Sequence, residues 1–216
     1  MTRVVRTAAE RREEILDVAE RLILTTGYQR MTVQDVLDRV GIAKGTLYHH
    51  FAGKEAILQG IVDRETGAMA ARARAAAEAS AGQAALSRLL GVLAALAVES
   101  GSPAGELAEH FNDTRNAEFH VLVLNAALHQ VAPVLAGVIA DGVAAGEMSV
   151  PDPLGAAEVI LALGSTLLDE GMVPATEAER ARREQVVAVA GVRLLGAGPD
   201  AVAQGLGTPA GEGNHA

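Results

Sequence analysis

Chemistry in this chain is concentrated in one short window. Between positions 44 and 54 stand Lys44, Gly45, Thr46, Tyr48, His49, His50 and Lys54. A lysine ammonium donates to O6 and N7 of guanine, and a threonine methyl packs on a thymine methyl. Gly45 permits a close approach of backbone, and the Tyr48 hydroxyl and Lys54 ammonium suit phosphate oxygens. Arg3 and Arg6 precede the first helix and suit a flexible arm in a minor groove, or else a solvated terminus. Together these residue types point to duplex DNA. Singly, Lys44, Thr46 or His49 is as well read as touching phosphate or water.

A second group is spread over a long apolar stretch rich in Ala and Leu: His110, Phe111, Asn112, Arg115, Phe119, His120, Asn125 and His129. Polar groups scattered on apolar helices can line an effector pocket. Each alone is equally a surface residue or a core side chain with its hydrogen bonds met. The histidines are spaced ten and nine apart, which is not the i, i+4 spacing of a helical zinc pair, so no metal site and no cofactor are expected. A pairing of His110 with a carboxylate such as Glu106 stays open. No nucleophile motif or phosphate loop is present, and the absence of Cys excludes disulfides, Cys-based zinc sites and thiol catalysis.

The elements that must hold these groups are helical. Thr7-Ala-Ala-Glu10 is a capping box, and Ile15, Val18, Ala19, Leu22 and Ile23 follow at helical spacing until Gly27. Thr32 predicts a second N-cap, with Asp35 placed well for the helix dipole and Val33, Val36, Leu37 and Val40 forming a stripe about two turns long. Gly41 and Ile42 make a tight turn into a third helix over 43–50, with Leu47 facing inward and Phe51 closing it. Two short helices joined by a glycine turn are a helix-turn-helix. A helix has the diameter of the major groove. Lys54 starts a fourth helix that 66–80 extends. Further helices are predicted over 82–99, 104–113, 114–145 with a kink at Pro133, 152–170 and 176–195, the last opened by the capping box Thr176-Glu-Ala-Glu179. No strand pattern appears. The stretch 198–216 is Gly-rich and aperiodic, so it is expected to be a disordered tail.

Charge divides the chain. Residues 1–54 hold nine Lys/Arg and seven Asp/Glu, while 55–216 hold nine and twenty, within a net charge of −9. The acidic rear is repelled by phosphate, so only the front suits DNA. With 50% hydrophobic residues and 2% aromatics, the chain can fill a core of closely packed helices and is not a disordered one. Its longest apolar runs, 89–98 and 131–140, are far short of the ~20 residues of a membrane span. The opening residues show no secretory signal, and a cytoplasmic protein is expected.

Residues 31–58, MTVQDVLDRVGIAKGTLYHHFAGKEAIL, resemble the DNA-binding domain of TetR/AcrR-family transcriptional regulators. The cluster from Gly41 to Phe51, then Lys54-Glu55-Ala56-Ile57-Leu58, carries the likeness, and only about a quarter of the chain shares it. The resemblance implies an all-α fold of about nine helices: an N-terminal three-helix helix-turn-helix domain (1–53), a connecting helix (54–80) and a C-terminal helical effector-binding and dimerisation domain (81–197). It implies base-reading positions at Gln34, Lys44, Gly45, Thr46 and His49, and phosphate-contacting positions at Thr32, Tyr48, His50 and Lys54. It also implies a homodimer on a palindromic operator in double-stranded DNA, most often a repressor, released by a small-molecule effector.

The last two long helices carry Leu161, Gly164, Leu167 and Leu168, then Val186, Val189, Ala190, Arg193 and Leu194. Small residues allow close approach, so these suit a two-fold four-helix interface, or equally the subunit's own core. Two other readings remain. One is a constitutive DNA-binding accessory protein without an effector, which the acidic bulk disfavours. The other is a helical enzyme using rear-domain His and Glu residues, for which no motif is present.

Overall fold

The computed structural model describes residues 7–96, 117–169 and 173–197. Nine helices and no strand occur among the described residues: α1 (Ala8–Thr26), α2 (Val33–Val40), α3 (Lys44–His50), α4 (Lys54–Ala79), α5 (Ala85–Leu96), α6 (Ala117–Gln130), α7 (Ala132–Ala144), α8 (Pro153–Leu167) and α9 (Glu177–Leu194). The all-α expectation is met. The expected helix over 104–113 and the expected tail over 198–216 lie outside the described residues.

The helices begin where their capping chemistry is written. Thr7 with Glu10 and Thr176 with Glu179 form the two predicted capping boxes. Thr32 and Asp35 form a third: the Thr32 hydroxyl accepts from the Asp35 amide, and the Asp35 carboxylate accepts from the Thr32 amide. Asp35 thus serves the cap as well as the helix dipole expected of it. Gly41 ends α2 in the left-handed region, with φ 72°, which an L side chain enters only with strain.

The described residues fall into two compact units. The first holds α1, α2, α3 and α4 as far as Glu65. Its buried residues include Ile15, Leu16, Leu22 and Ile23 from α1, Val36 and Leu37 from α2, Leu47 from α3, and Ile57, Leu58 and Ile61 from α4. A Cβ on Gly60 would come within 3.0 Å of both Leu16 and Phe51, so α4 passes close over α1 and the end of α3. Arg64 on α4 reinforces that packing by pairing with Glu13, Asp17 and Glu20 along α1.

The second unit starts at Thr66 on α4 and takes in α5 to α9. Its main core joins Leu86, Leu89 and Val92 of α5, Leu135, Val138 and Ile139 of α7, Ala156, Ala157 and Ile160 of α8, and Val192 of α9. Gly142 of α7 lets α5 in: a Cβ there would sit 2.7 Å from that of Ala85. The single kinked helix predicted over 114–145 is instead two helices, α6 and α7, bent by 43°. The break falls at Val131, and Pro133 sits in the first turn of α7. A proline there lacks only an amide hydrogen that no helix start would use, whereas inside a continuous helix its ring would clash with the carbonyl of residue 129. No single helix among the described residues is long and apolar enough to cross a membrane.

Candidate functional site

α3 is only seven residues long, and its N-cap, Ala43, offers no side-chain hydrogen bond. A helix this short does not persist alone. It is held by Leu47, which is fully buried, and by Phe51 just beyond its end. That anchoring turns the opposite face outward: Lys44, Gly45, Thr46, Tyr48 and His49 are all exposed, Tyr48 at 46%. Lys44 and Tyr48 stand one turn apart, with the ammonium 5.7 Å from the ring centroid. No Cβ on Gly45 would meet anything within 4 Å, so its surface is open.

The other front residues surround this face and are more constrained. Gln34 is exposed, but its amide donates to Asp38 Oδ1 at 2.7 Å. The only hydroxyl proton of Thr32 goes to Asp35 Oδ2 at 2.7 Å, so serving a phosphate would require it to leave its own cap. Lys54 is fixed more firmly: Nζ donates to the Gln29 carbonyl at 3.2 Å and lies 4.3 Å from the centroid of the Tyr28 ring. His50 is half-buried and edge-on to His49 at 5.3 Å. Burial first, then His49, Arg11 and Arg12, hold its pKa below the usual histidine value. At neutral pH it therefore offers a hydrogen bond more than a charge. Arg12 itself lies over the Phe51 ring at 5.1 Å. Arg3 and Arg6 are outside the described residues.

In the second unit the polar group read from the sequence is not gathered. His110, Phe111, Asn112 and Arg115 lie outside the described residues. His120 is 7% exposed, and its Nδ1 lies 2.8 Å from Asp169 Oδ2, just beyond the end of α8. Phe119 is half-buried beside it, rings edge-on at 6.0 Å. Asn125 and His129 are exposed, and His129 Nδ1 contacts the Asn125 carbonyl at 2.7 Å. Nine residues of helix turn through half a revolution, so His120 and His129 point to opposite sides of α6. His129 borders an open groove of about 570 Å³ shared with Arg74, Gln130 and Pro133. Two polar residues of this unit had no signal in the sequence. Asp169 pairs with His120 across 49 positions, and Thr66, 1% exposed, accepts a hydrogen bond from Gln130 Nε2 at 2.9 Å. Among the described residues no cluster of three or more His, Asp or Glu could hold a metal.

On the last two helices, Leu161, Gly164, Leu167, Leu168 and Ala190 are half-buried. Val186, Val189 and Leu194 are exposed at 53%, 39% and 39%, and Arg193 is exposed as well.

Residues 15–61 match the family of bacterial regulatory proteins of the tetR type, and residues 101–186 match the tetracyclin repressor-like C-terminal domain. The HTH-type transcriptional repressor KstR2 of Rhodococcus jostii is 46% identical over 57 residues, 24% of this chain and 28% of its own length. The A-factor receptor protein of Streptomyces griseus is 44% identical over 52 residues, 24% of this chain and 19% of its own length. The chain thus aligns with less than a third of these curated relatives. Among solved structures, RolR in complex with resorcinol superposes with a TM-score of 0.65 at 14% identity, covering 95% of this chain and 97% of that one. At that identity the likeness is one of fold. Two tetR-type domains, in order and covering most of the chain, identify it as a member of the tetR family of bacterial regulatory proteins.

Proposed function

We propose that this chain is a sequence-specific DNA-binding transcriptional regulator, a homodimeric repressor released from a palindromic operator by a small-molecule effector. One observation carries the reading: a short helix pinned by Leu47 and Phe51 turns Lys44, Gly45, Thr46, Tyr48 and His49 to solvent. Lys44, Gly45, Thr46 and His49, with Gln34, read base edges. Tyr48, His50 and Lys54 contact phosphate, with Thr32 able to join only by turning its hydroxyl away from Asp35. Arg3 and Arg6 extend into a minor groove. Val186, Val189 and Leu194 support pairing through α8 and α9, since exposed aliphatics of this size gain from burial against a second copy. The names of two similar proteins, the A-factor receptor and RolR with resorcinol, support an effector in residues 81–197.

An effector weakens DNA binding only by its preference for the dimer geometry that DNA does not select. Two recognition helices must stand roughly 34–36 Å apart to enter successive major grooves. DNA must in turn weaken effector binding by the same factor. The protein acts in the cytoplasm and catalyses nothing.

The test is a mobility shift on the DNA upstream of the protein's own gene. Retardation of that DNA at concentrations that leave a scrambled duplex free is expected. Equal affinity for both would favour the accessory-protein reading.

A further inference from the structure

Among the described residues of the second unit, two buried side-chain nitrogens have no hydrogen-bond partner, Arg88 Nε, whose guanidinium is already held to Asp141, and His120 Nε2. His120 Nε2 is sealed from solvent and has no hydrogen-bond partner, although the ring is 7% exposed. The other ring nitrogen is fully engaged, with Asp169 Oδ2 at 2.8 Å. A carboxylate only accepts, so Nδ1 carries the proton. A second proton on Nε2 would be a charged donor buried without an acceptor, the costlier arrangement, so Nε2 presents a lone pair.

We propose that His120 Nε2 is the polar anchor of the effector site, and that the effector is an uncharged, largely apolar molecule that donates a hydroxyl hydrogen to it. The proposal rests on the effector-responsive reading above and adds the chemistry of the ligand. Val123 and Leu124 lie one turn along α6 from His120 and Leu168 precedes Asp169, and all three are half-buried hydrocarbon. Phe119, edge-on to the imidazole, adds an aromatic wall. A carboxylate ligand is disfavoured, because it has no hydrogen to donate to the Nε2 lone pair. Asp169 acts as a positioning residue: it fixes the tautomer and leaves the acceptor nitrogen facing the ligand.

The test uses the full chain labelled with 15N-histidine and titrated with phenol, cyclohexanol, anisole and benzoate. The His120 signal is assigned by its loss in His120→Asn, whose amide can still donate to Asp169 but lacks the Nε2 position. Phenol and cyclohexanol are expected to shift the Nε2 resonance, and phenol to bind about tenfold or more tighter than anisole, the difference one buried hydrogen bond makes. His120→Asn is expected to erase that preference while binding anisole as before. Anisole or benzoate binding as tightly as phenol would overturn the proposal. So would an Nε2 resonance that no probe moves, which would mean a resident water serves it. His120→Gln, which keeps a polar group near Nε2 but frees Asp169, guards against misfolding of the first variant and should retain part of the preference. The regulatory reading is scored apart, by the mobility shift without probes. Hydroxyl discrimination in a chain that never retards its upstream DNA would sink that reading and leave this site standing.

Discussion

Replacing Lys44 with alanine separates base reading from mere attraction to phosphate. In the free protein Lys44 is exposed, and its ammonium lies 5.7 Å from the centroid of the Tyr48 ring. Alanine also favours helix at this position, so folding stability should move by no more than about 0.5 kcal/mol. On the cognate operator a lysine paired with a guanine edge is worth about 1–3 kcal/mol of discrimination. A two-fold complex contains two such contacts, so the cognate site should lose about 2–6 kcal/mol, roughly thirtyfold or more in Kd. A scrambled duplex loses only two non-specific charges, and its affinity should fall far less. Fluorescence anisotropy on both duplexes at several salt concentrations reads the two effects separately. Equal losses on both, with a flatter salt dependence, would place Lys44 on phosphate and refute its role as a base reader. A urea melt of the variant guards the comparison.

The remaining predictions concern what holds the site in place. Leu47→Ala removes a side chain with no exposed surface, so it should cost about 2–5 kcal/mol in urea unfolding and abolish operator binding with it. The Thr32 hydroxyl, and then its amide, hold the Asp35 carboxyl below the usual aspartate range. A carboxyl depressed on folding stabilises above its unfolded pKa, and that stability is lost as pH falls through the folded one. Asp35→Asn should therefore flatten the acid limb of the stability profile, and an unchanged limb would remove the cap from the account. Val189→Asp puts a charge on an exposed aliphatic of α9. Light scattering should find it monomeric where the parent is a dimer, and a dimeric variant would move the interface elsewhere.

The fold was legible wherever one local rule was enough. Thr7 with Glu10 and Thr176 with Glu179 announce α1 and α9 in four residues each, and Gly41 marks its turn by needing a positive φ. The break between α6 and α7 was harder to read, because Pro133 signals trouble but not its position. The backbone resolves it by ending α6 early enough for the proline to start a helix. The outward face of α3 was legible because one buried leucine in a seven-residue helix dictates what the rest must do. The rear polar group was not. A list of histidines says nothing of their angle around α6, and Asp169, which gives His120 its tautomer, is 49 positions away. Only the packing of α8 against α6 brings that pair together.

α3 also divides its labour in a way that bears on how specificity could change. The helix exists because Leu47 and Phe51 pack and Gly41 turns, and the two packed anchors are buried away from any reading face. Positions 44, 45, 46, 48 and 49 are exposed, and their side chains bury nothing in the core. Substitutions there can redirect base preference at almost no cost in folding, whereas substitutions at the anchors cost folding before they can alter preference. Thr32 belongs to neither class, because its hydroxyl would have to leave Asp35 to donate to DNA, whereas Gln34 spends one amide hydrogen on Asp38 and keeps the other and its carbonyl oxygen for a base. A contact from Thr32 is reduced by the hydrogen bond it gives up, so on α2 base reading falls to Gln34 alone and operator specificity should rest more heavily on α3.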